Sequence, residues 1–213
     1  MITISPDIKL PSPFGDEALT EAHQKRFLKH FKNSPGVVLE IGCGRGVMLD
    51  LFKKAGIPSY GIDSSEVAVT LCTGKGLNVI HTTVLSHLKE MAPMSLGGIF
   101  CAHVIEHMNP DEVIRLFDES SRVLKPNGTL IIITPNPRDL RTTERFWLDI
   151  THVRPYPEKL LTALLNEKGF SEILVEEDKE PAKNPIERVA KWFLRLWFMG
   201  FMFRGDLVLI AKR

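Results

Sequence analysis

Between residues 36 and 134 of this 213-residue chain, short apolar runs alternate five times with segments patterned for helices. The runs fall at 36–41, 59–62, 78–81, 98–103 and 129–134, and the helical segments between them at 47–55, 65–74, 85–91 and 110–124. Few folds accommodate that order. A strand, a helix and a second strand close as a right-handed crossover, which makes neighbouring strands parallel and lays helices on both faces of the sheet. The spacing therefore predicts a doubly wound α/β domain. A helix at 157–168 stopped by Gly169, and two final strands at 170–175 and 206–211, complete the pattern.

The length suits one well-buried domain over 1–213. An arm and helix occupy 1–32, with the helix at 16–32; a long loop runs over 135–156, and an amphipathic helical insert over 183–204. A formal net charge of +1 gives no global field for nucleic acid, so no nucleic-acid partner is expected. Three cysteines, an odd number, do not make a disulfide framework and point to a reduced interior. The first ten residues lack the basic and apolar regions of a secretory signal. The longest apolar run near the C-terminus, 196–203, is far short of the roughly 18 residues of a membrane span. A cytoplasmic protein is expected.

The turn Glu40-Ile41-Gly42-Cys43-Gly44-Arg45-Gly46 follows the first strand and opens the helix at 47–55. Strand, glycine turn and helix are where a nucleotide-like ligand meets the carboxyl edge of a parallel sheet. Gly42 and Gly44 let the backbone come close to such a ligand. Asp63 stands 21 residues after Gly42, at the end of the second strand, where a carboxylate accepts hydrogen bonds from both ribose hydroxyls.

These residues, with Gly61-Ile62-Asp63-Ser64-Ser65 and Arg122-Val123-Leu124-Lys125-Pro126-Asn127-Gly128, resemble the class I S-adenosylmethionine (SAM)-dependent methyltransferases, in the branch acting on hydroxyls of small molecules and glycans. The resemblance covers roughly 24–175. It implies a Rossmann-like, mostly parallel seven-stranded sheet with the last strand antiparallel. It also implies transfer of the SAM methyl, leaving S-adenosylhomocysteine (SAH), to a small molecule, glycan or lipid-linked acceptor. N-methylation and a non-catalytic SAM-binding role are the alternatives. By this resemblance Gly42, Cys43 and Gly44 line the methionine part of SAM, Asp63 holds the ribose, Glu40 orients the loop, and Ser64 faces the adenine. Arg26 meets the cofactor carboxylate, and Thr83, Val84 and His103 complete the cofactor set. The pattern Glu-x-Gly-x-Gly-x-Gly departs from the Gly-x-Gly-x-x-Gly of pyrophosphate-binding dinucleotide proteins.

Methyl transfer from a sulfonium needs in-line alignment and, for a hydroxyl acceptor, a base; histidine suits neutral pH. The segment from Phe146 to Tyr156 gathers aromatics, an acid, a histidine and an arginine after the fifth strand. His152 is the expected base, Asp149 its orienting partner and His107 the third catalytic candidate. Trp147, Arg154 and Tyr156 are expected to bind substrate, Arg154 as a bidentate anion clamp. No metal is assigned; a divalent ion near Glu106 and His107 is the alternative. His103-Val104-Ile105-Glu106-His107 also matches a zinc-peptidase pattern, but that pattern requires a helix, and here it follows a strand. The insert carries Arg188, Lys191 and Arg195 at helical spacing among many aromatics. A lid, a homodimer interface and a peripheral membrane contact through 185–203 are its three readings.

Overall fold

In the computed structural model, residues 17–139, 146–178 and 205–213 are described, together with Pro185, Val189, Ala190, Trp192, Phe193 and Trp197. Seven strands form one sheet: β1 Val38–Ile41, β2 Ser59–Asp63, β3 Val79–His81, β4 Leu96–Ala102, β5 Leu124–Thr134, β6 Ser171–Asp178 and β7 Asp206–Lys212. Their order is β3-β2-β1-β4-β5-β7-β6. Strands β1 to β5 pair in parallel, and β7 runs antiparallel to both β5 and β6. The expected doubly wound sheet with its reversed last strand is therefore the observed one. The helices are α1 Glu17–Gln24, α2 Val47–Lys54, α3 Glu66–Gly74, α4 Val84–Glu90, α5 Pro110–Val123 and α6 Glu158–Glu167.

All four residues of β1 are buried, as a central parallel strand with helices on both faces requires. Side chains alternate between two cores. Leu39, Ile41, Ile99, Cys101, Leu130 and Ile132 meet Leu88, Leu116, Phe117, Leu161 and Leu165 on one face. Val38, Phe100, Ile131 and Ile133 meet Phe27, Phe31, Met48 and Phe52 on the other. The chain winds outward from β1 through β2 to β3, then crosses back to place β4 on the other side of β1. That reversal opens a crevice at the carboxyl ends of β1 and β4, the position at which such sheets take their ligands.

Two elements differ from the sequence pattern. The N-terminal helix stops at Gln24 and tightens into a 3-10 turn, Lys25–His30. This seats Phe27 5.8 Å from Phe100 and Phe31 5.3 Å from Phe52, ring centre to ring centre. Strand β5 begins at Leu124 rather than 129, with Pro126-Asn127-Gly128 inside it. Pairing jumps from Leu96↔Leu124 to Gly98↔Thr129, and Asn127 takes a φ of +64°. The chain end sustains this bulge: Asn127 N–H donates to the Arg213 carbonyl at 2.8 Å and Arg213 N–H to that of Gly128 at 3.0 Å. In the insert, the described residues Pro185, Val189, Ala190, Trp192, Phe193 and Trp197 are helical. The arm at 1–15, residues 140–145 of the long loop and the remainder of 183–204 lie outside the described residues. Among the described residues no helix is long and apolar enough to cross a membrane.

Candidate functional site

The glycine turn is held from both sides. Gly42 and Cys43 donate their N–H groups to the Ile62 carbonyl at 2.9 and 3.2 Å, tying the end of β1 to β2. Asp63 receives Gly44 N–H at 2.9 Å on one carboxylate oxygen and Ser65 N–H at 2.8 Å on the other. Each oxygen keeps a further lone pair, so the carboxylate both shapes the turn and retains acceptor capacity for a diol. Gly42 sits at a φ of +69°, and a Cβ there would lie 2.5 Å from the Val104 side chain. Glycine at 42 thus lets the turn lie directly on the segment after β4.

Glu40, beneath this turn, is buried, and its Oε2 has no hydrogen-bond partner in the described structure. Burial pushes its carboxyl well above the usual range. The Cys43 thiol is pushed up as well, first by its hydrogen bond with Cys72 and then by burial. It fills space under the turn and is no thiolate nucleophile.

The second half of the site is built on Glu106. Beyond β4, His103 adopts a φ of +55°, a strained conformation for a non-glycine residue, while its N–H still reaches the Ile133 carbonyl at 2.8 Å. A three-residue 3-10 turn, Ile105–His107, follows. Such a turn cannot supply the helix that a zinc peptidase needs. The Glu106 side chain is fully buried and accepts His103 Nδ1–H at 3.2 Å and the Thr134 hydroxyl at 3.1 Å. Its carbonyl receives Val153 N–H at 2.8 Å, which folds the loop after β5 over the turn. His103 Nε2 also lies 3.4 Å from Asp206 at the start of β7.

Two imidazoles meet there. The His107 and His152 ring centres are 4.6 Å apart. His152 Nδ1 donates to the Phe146 carbonyl at 2.7 Å, and the ring stacks on Phe146 at 4.5 Å. A carbonyl only accepts, so in the neutral ring Nε2 carries the lone pair. The Phe146 carbonyl therefore orients this ring, and not Asp149 as expected. Asp149 Oδ2 lies on the other side, 3.8 Å from Nε2. The Thr151 hydroxyl donates to Asp149 at 2.6 Å and consequently accepts from His107 Nδ1 at 2.9 Å, which leaves His107 Nε2 open too. Burial pushes the Asp149 carboxyl upward. The Thr151 hydroxyl and N–H, then His152 and His107, outweigh that and hold it below the usual carboxylate range. Glu106, His107 and His152 each offer one ligand atom, all within 4.8 Å of one another.

The remaining expected residues scatter. Arg26 lies 3.9 Å from Glu176 of β6, its guanidinium 4.6 Å from the Phe27 ring centre. Thr83 starts α4 and donates its hydroxyl to Ser86 at 2.9 Å, and the neighbouring Val84 packs against the core. Ser64 is exposed beyond β2, its carbonyl taking His81 Nε2–H at 3.0 Å. Trp147 is exposed. Arg154 is exposed with its guanidinium 5.3 Å from the Tyr156 ring. Tyr156 is buried and donates to the Met108 carbonyl at 2.8 Å, so it supports the loop from beneath rather than lining a surface. Sequence reasoning left Thr134, Thr151 and Asp206 out of the site and gave Glu106 only as a neighbour of the alternative divalent ion. Only Glu106 had a signal, its adjacency to His107; the other three are assembled by the fold.

Comparison with known proteins bears on the fold and the family. A family model described as a methyltransferase domain matches residues 14–175. A SAM-dependent methyltransferase from Archaeoglobus fulgidus superposes with a TM-score of 0.82 at 28% identity, over 94% of this chain and 96% of that one. A ubiquinone biosynthesis O-methyltransferase from Methylococcus capsulatus is 30% identical over 46% of this chain and 43% of its own length. The match thus spans less than half of that relative. Phosphoethanolamine N-methyltransferase 2 from Haemonchus contortus, solved in complex with SAM, has the same fold with a TM-score of 0.65 at 17% identity, over 90% of this chain and 52% of that one.

Proposed function

The chain belongs to the class I SAM-dependent methyltransferase family, and on that premise we propose that it moves the SAM methyl onto a hydroxyl of a small molecule, glycan or glycolipid. The residues of the turn suit the cofactor. Asp63 has spare acceptor capacity for a ribose diol, Gly42 and Gly44 present bare backbone, and the unpartnered Glu40 oxygen offers an acceptor near a cationic ligand. Bound there, SAM supplies an electrophilic methyl on a good leaving group.

The observation that carries the reading is the state of the two imidazoles. Both Nδ1 atoms are committed as donors, so both Nε2 lone pairs remain available. His107 lies in the turn just after Val104, which touches Gly42, and His152 in the loop pinned to that turn. His152 Nε2 takes the acceptor hydroxyl's proton as the carbon–oxygen bond forms, and Asp149 at 3.8 Å steadies the resulting imidazolium. Arg154 is exposed beside this loop and is suited to an anionic group on the acceptor. Buried Glu106 positions the whole assembly.

The test is SAH formation from SAM with a panel of phenols, glycans, glycolipids and amines. Turnover with hydroxyl acceptors supports the reading. Turnover confined to amines makes the chain an N-methyltransferase, and SAM binding without turnover makes it a binding protein.

One distance set favours a second reading. The ligand atoms of Glu106, His107 and His152 within 4.8 Å fit a divalent cation, with each histidine's Nδ1 bonded outward as metal-binding imidazoles require. Such an ion would lower the pKa of the acceptor hydroxyl, and the two histidines would then serve as ligands rather than bases.

A further inference from the structure

Between β6 and β7, the described residues carry exposed apolar side chains. Val189, Trp192, Phe193 and Trp197 fall at intervals of three, one and four residues, which places them along one side of a helix. A helix of a globular domain turns that side inward. Here all four are exposed: 55% for Val189, 59% for Trp192 and Phe193, and 84% for Trp197. A lid closed on its own domain would bury them, so that reading does not fit. Two tryptophans and a phenylalanine standing in water need a partner.

Charge decides which. From 185 to 204 the sequence holds four basic residues, Arg188, Lys191, Arg195 and Arg204, against one acid, Glu187. The whole chain is only +1, so the remainder is net acidic. An isologous dimer would set two such cationic segments against each other, because a two-fold axis pairs a patch with itself. Exposed tryptophan and phenylalanine in a sequence rich in lysine and arginine suit the boundary between headgroups and acyl chains of an anionic bilayer. The longest unbroken apolar run, 196–203, is too short to span one, which leaves contact with its surface. We propose that the exposed face of Val189, Trp192, Phe193 and Trp197 docks the protein onto an anionic lipid surface. The insert returns to the sheet at Gly205 and Asp206, where Gly205 N–H donates to buried Asp139 and Asp206 lies 3.4 Å from His103. Docking therefore holds the candidate site next to the membrane.

The test needs no catalytic turnover. Flotation of the full chain with vesicles of phosphatidylcholine alone, and of phosphatidylcholine containing phosphatidylglycerol, separates the cases. Binding is expected to the anionic vesicles, with release by salt. It should weaken about fivefold for each of Lys191→Gln and Arg195→Gln, and at least tenfold for the combined Trp192→Ala, Phe193→Ala and Trp197→Ala variant. In the unaltered chain, brominated anionic lipid should quench tryptophan emission. No binding by the folded chain, or binding that all these variants retain, overturns the proposal. A concentration-dependent dimer that the aromatic variant dissolves, without lipid binding, overturns it too and assigns the face to a second copy.

Discussion

The backbone carbonyl of Glu106 accepts the N–H of Val153 at 2.8 Å. Two segments far apart in sequence are joined by that bond, the turn after β4 and the loop after β5. Because the Glu106 side chain simultaneously takes His103 and Thr134, one buried residue sets the positions of both imidazoles relative to the sheet.

Glu106→Ala should therefore destabilise the chain. It leaves the Thr134 hydroxyl without its acceptor in a fully buried place. A cost of about 2 kcal/mol is expected, which lowers the unfolding midpoint by about 4–8 °C. Differential scanning calorimetry checks it; a midpoint within 1 °C of the parent, or about 0.3 kcal/mol on the same scale, would show that Glu106 holds nothing together.

His152→Ala should lower kcat by about 10²-fold or more while SAM affinity stays unchanged, because in the proposed role the ring takes a proton and does not hold the cofactor. The readout is SAH release at saturating SAM, beside calorimetric titration of SAM. Equal losses in kcat and SAM affinity would move His152 out of the base role.

The ring nitrogens also make a metal assignment testable. If a divalent ion occupies Glu106, His107 and His152, manganese or zinc should raise the unfolding midpoint and a chelator should reverse the rise. The effect should vanish in both His107→Ala and His152→Ala. An unchanged midpoint leaves the histidines as free bases.

Much of this was legible in the sequence. The five-fold alternation implied the parallel sheet, and Glu40 to Gly46 with Asp63 marked the sheet edge proposed here for the cofactor. That information is local: a hydrophobic period and a glycine turn report on their own backbone. Glu106 was harder to weigh, since its burial and its partners come from β5 and the following loop. Thr151 and Asp206 carried no signal, because their roles exist only once distant segments are brought together. Tyr156 misled for a related reason. A tyrosine in an aromatic loop reads as a binding surface until its hydroxyl is seen to satisfy the Met108 carbonyl.

Gly42→Ala should cost about 2 kcal/mol or more, from a left-handed φ and from the Cβ forced within 2.5 Å of Val104. Val104→Ala in the same chain removes the contact but not the backbone strain. A coupling of about 1 kcal/mol in the double-mutant cycle is expected from urea unfolding. Strict additivity would mean that the two residues do not touch.

Burial raises the Glu40 carboxyl, so the folded state holds that proton to higher pH than the unfolded state does. The stability this proton confers is complete below the ordinary carboxylate value and is lost as pH rises through the folded value. Glu40→Gln keeps a neutral side chain throughout. Its unfolding midpoint without ligand should therefore gain on the parent as pH rises through that window, then hold a constant lead. A gap that narrows with rising pH would contradict the assignment.

The proposed methyl transfer requires SAM to bind at the turn Gly42 to Gly46 and Asp63. The most direct measurement is thermal unfolding with excess SAM, SAH or NAD, in the parent and in Asp63→Ala. Ligand at about 100 times its dissociation constant adds roughly 2.7 kcal/mol, which for a chain of this size is a rise of about 5–10 °C. That rise is expected with SAM and SAH, absent with NAD, and lost in Asp63→Ala when each variant is compared with its own ligand-free midpoint. No rise with SAM or SAH, or a rise with NAD in their place, would contradict the cofactor site.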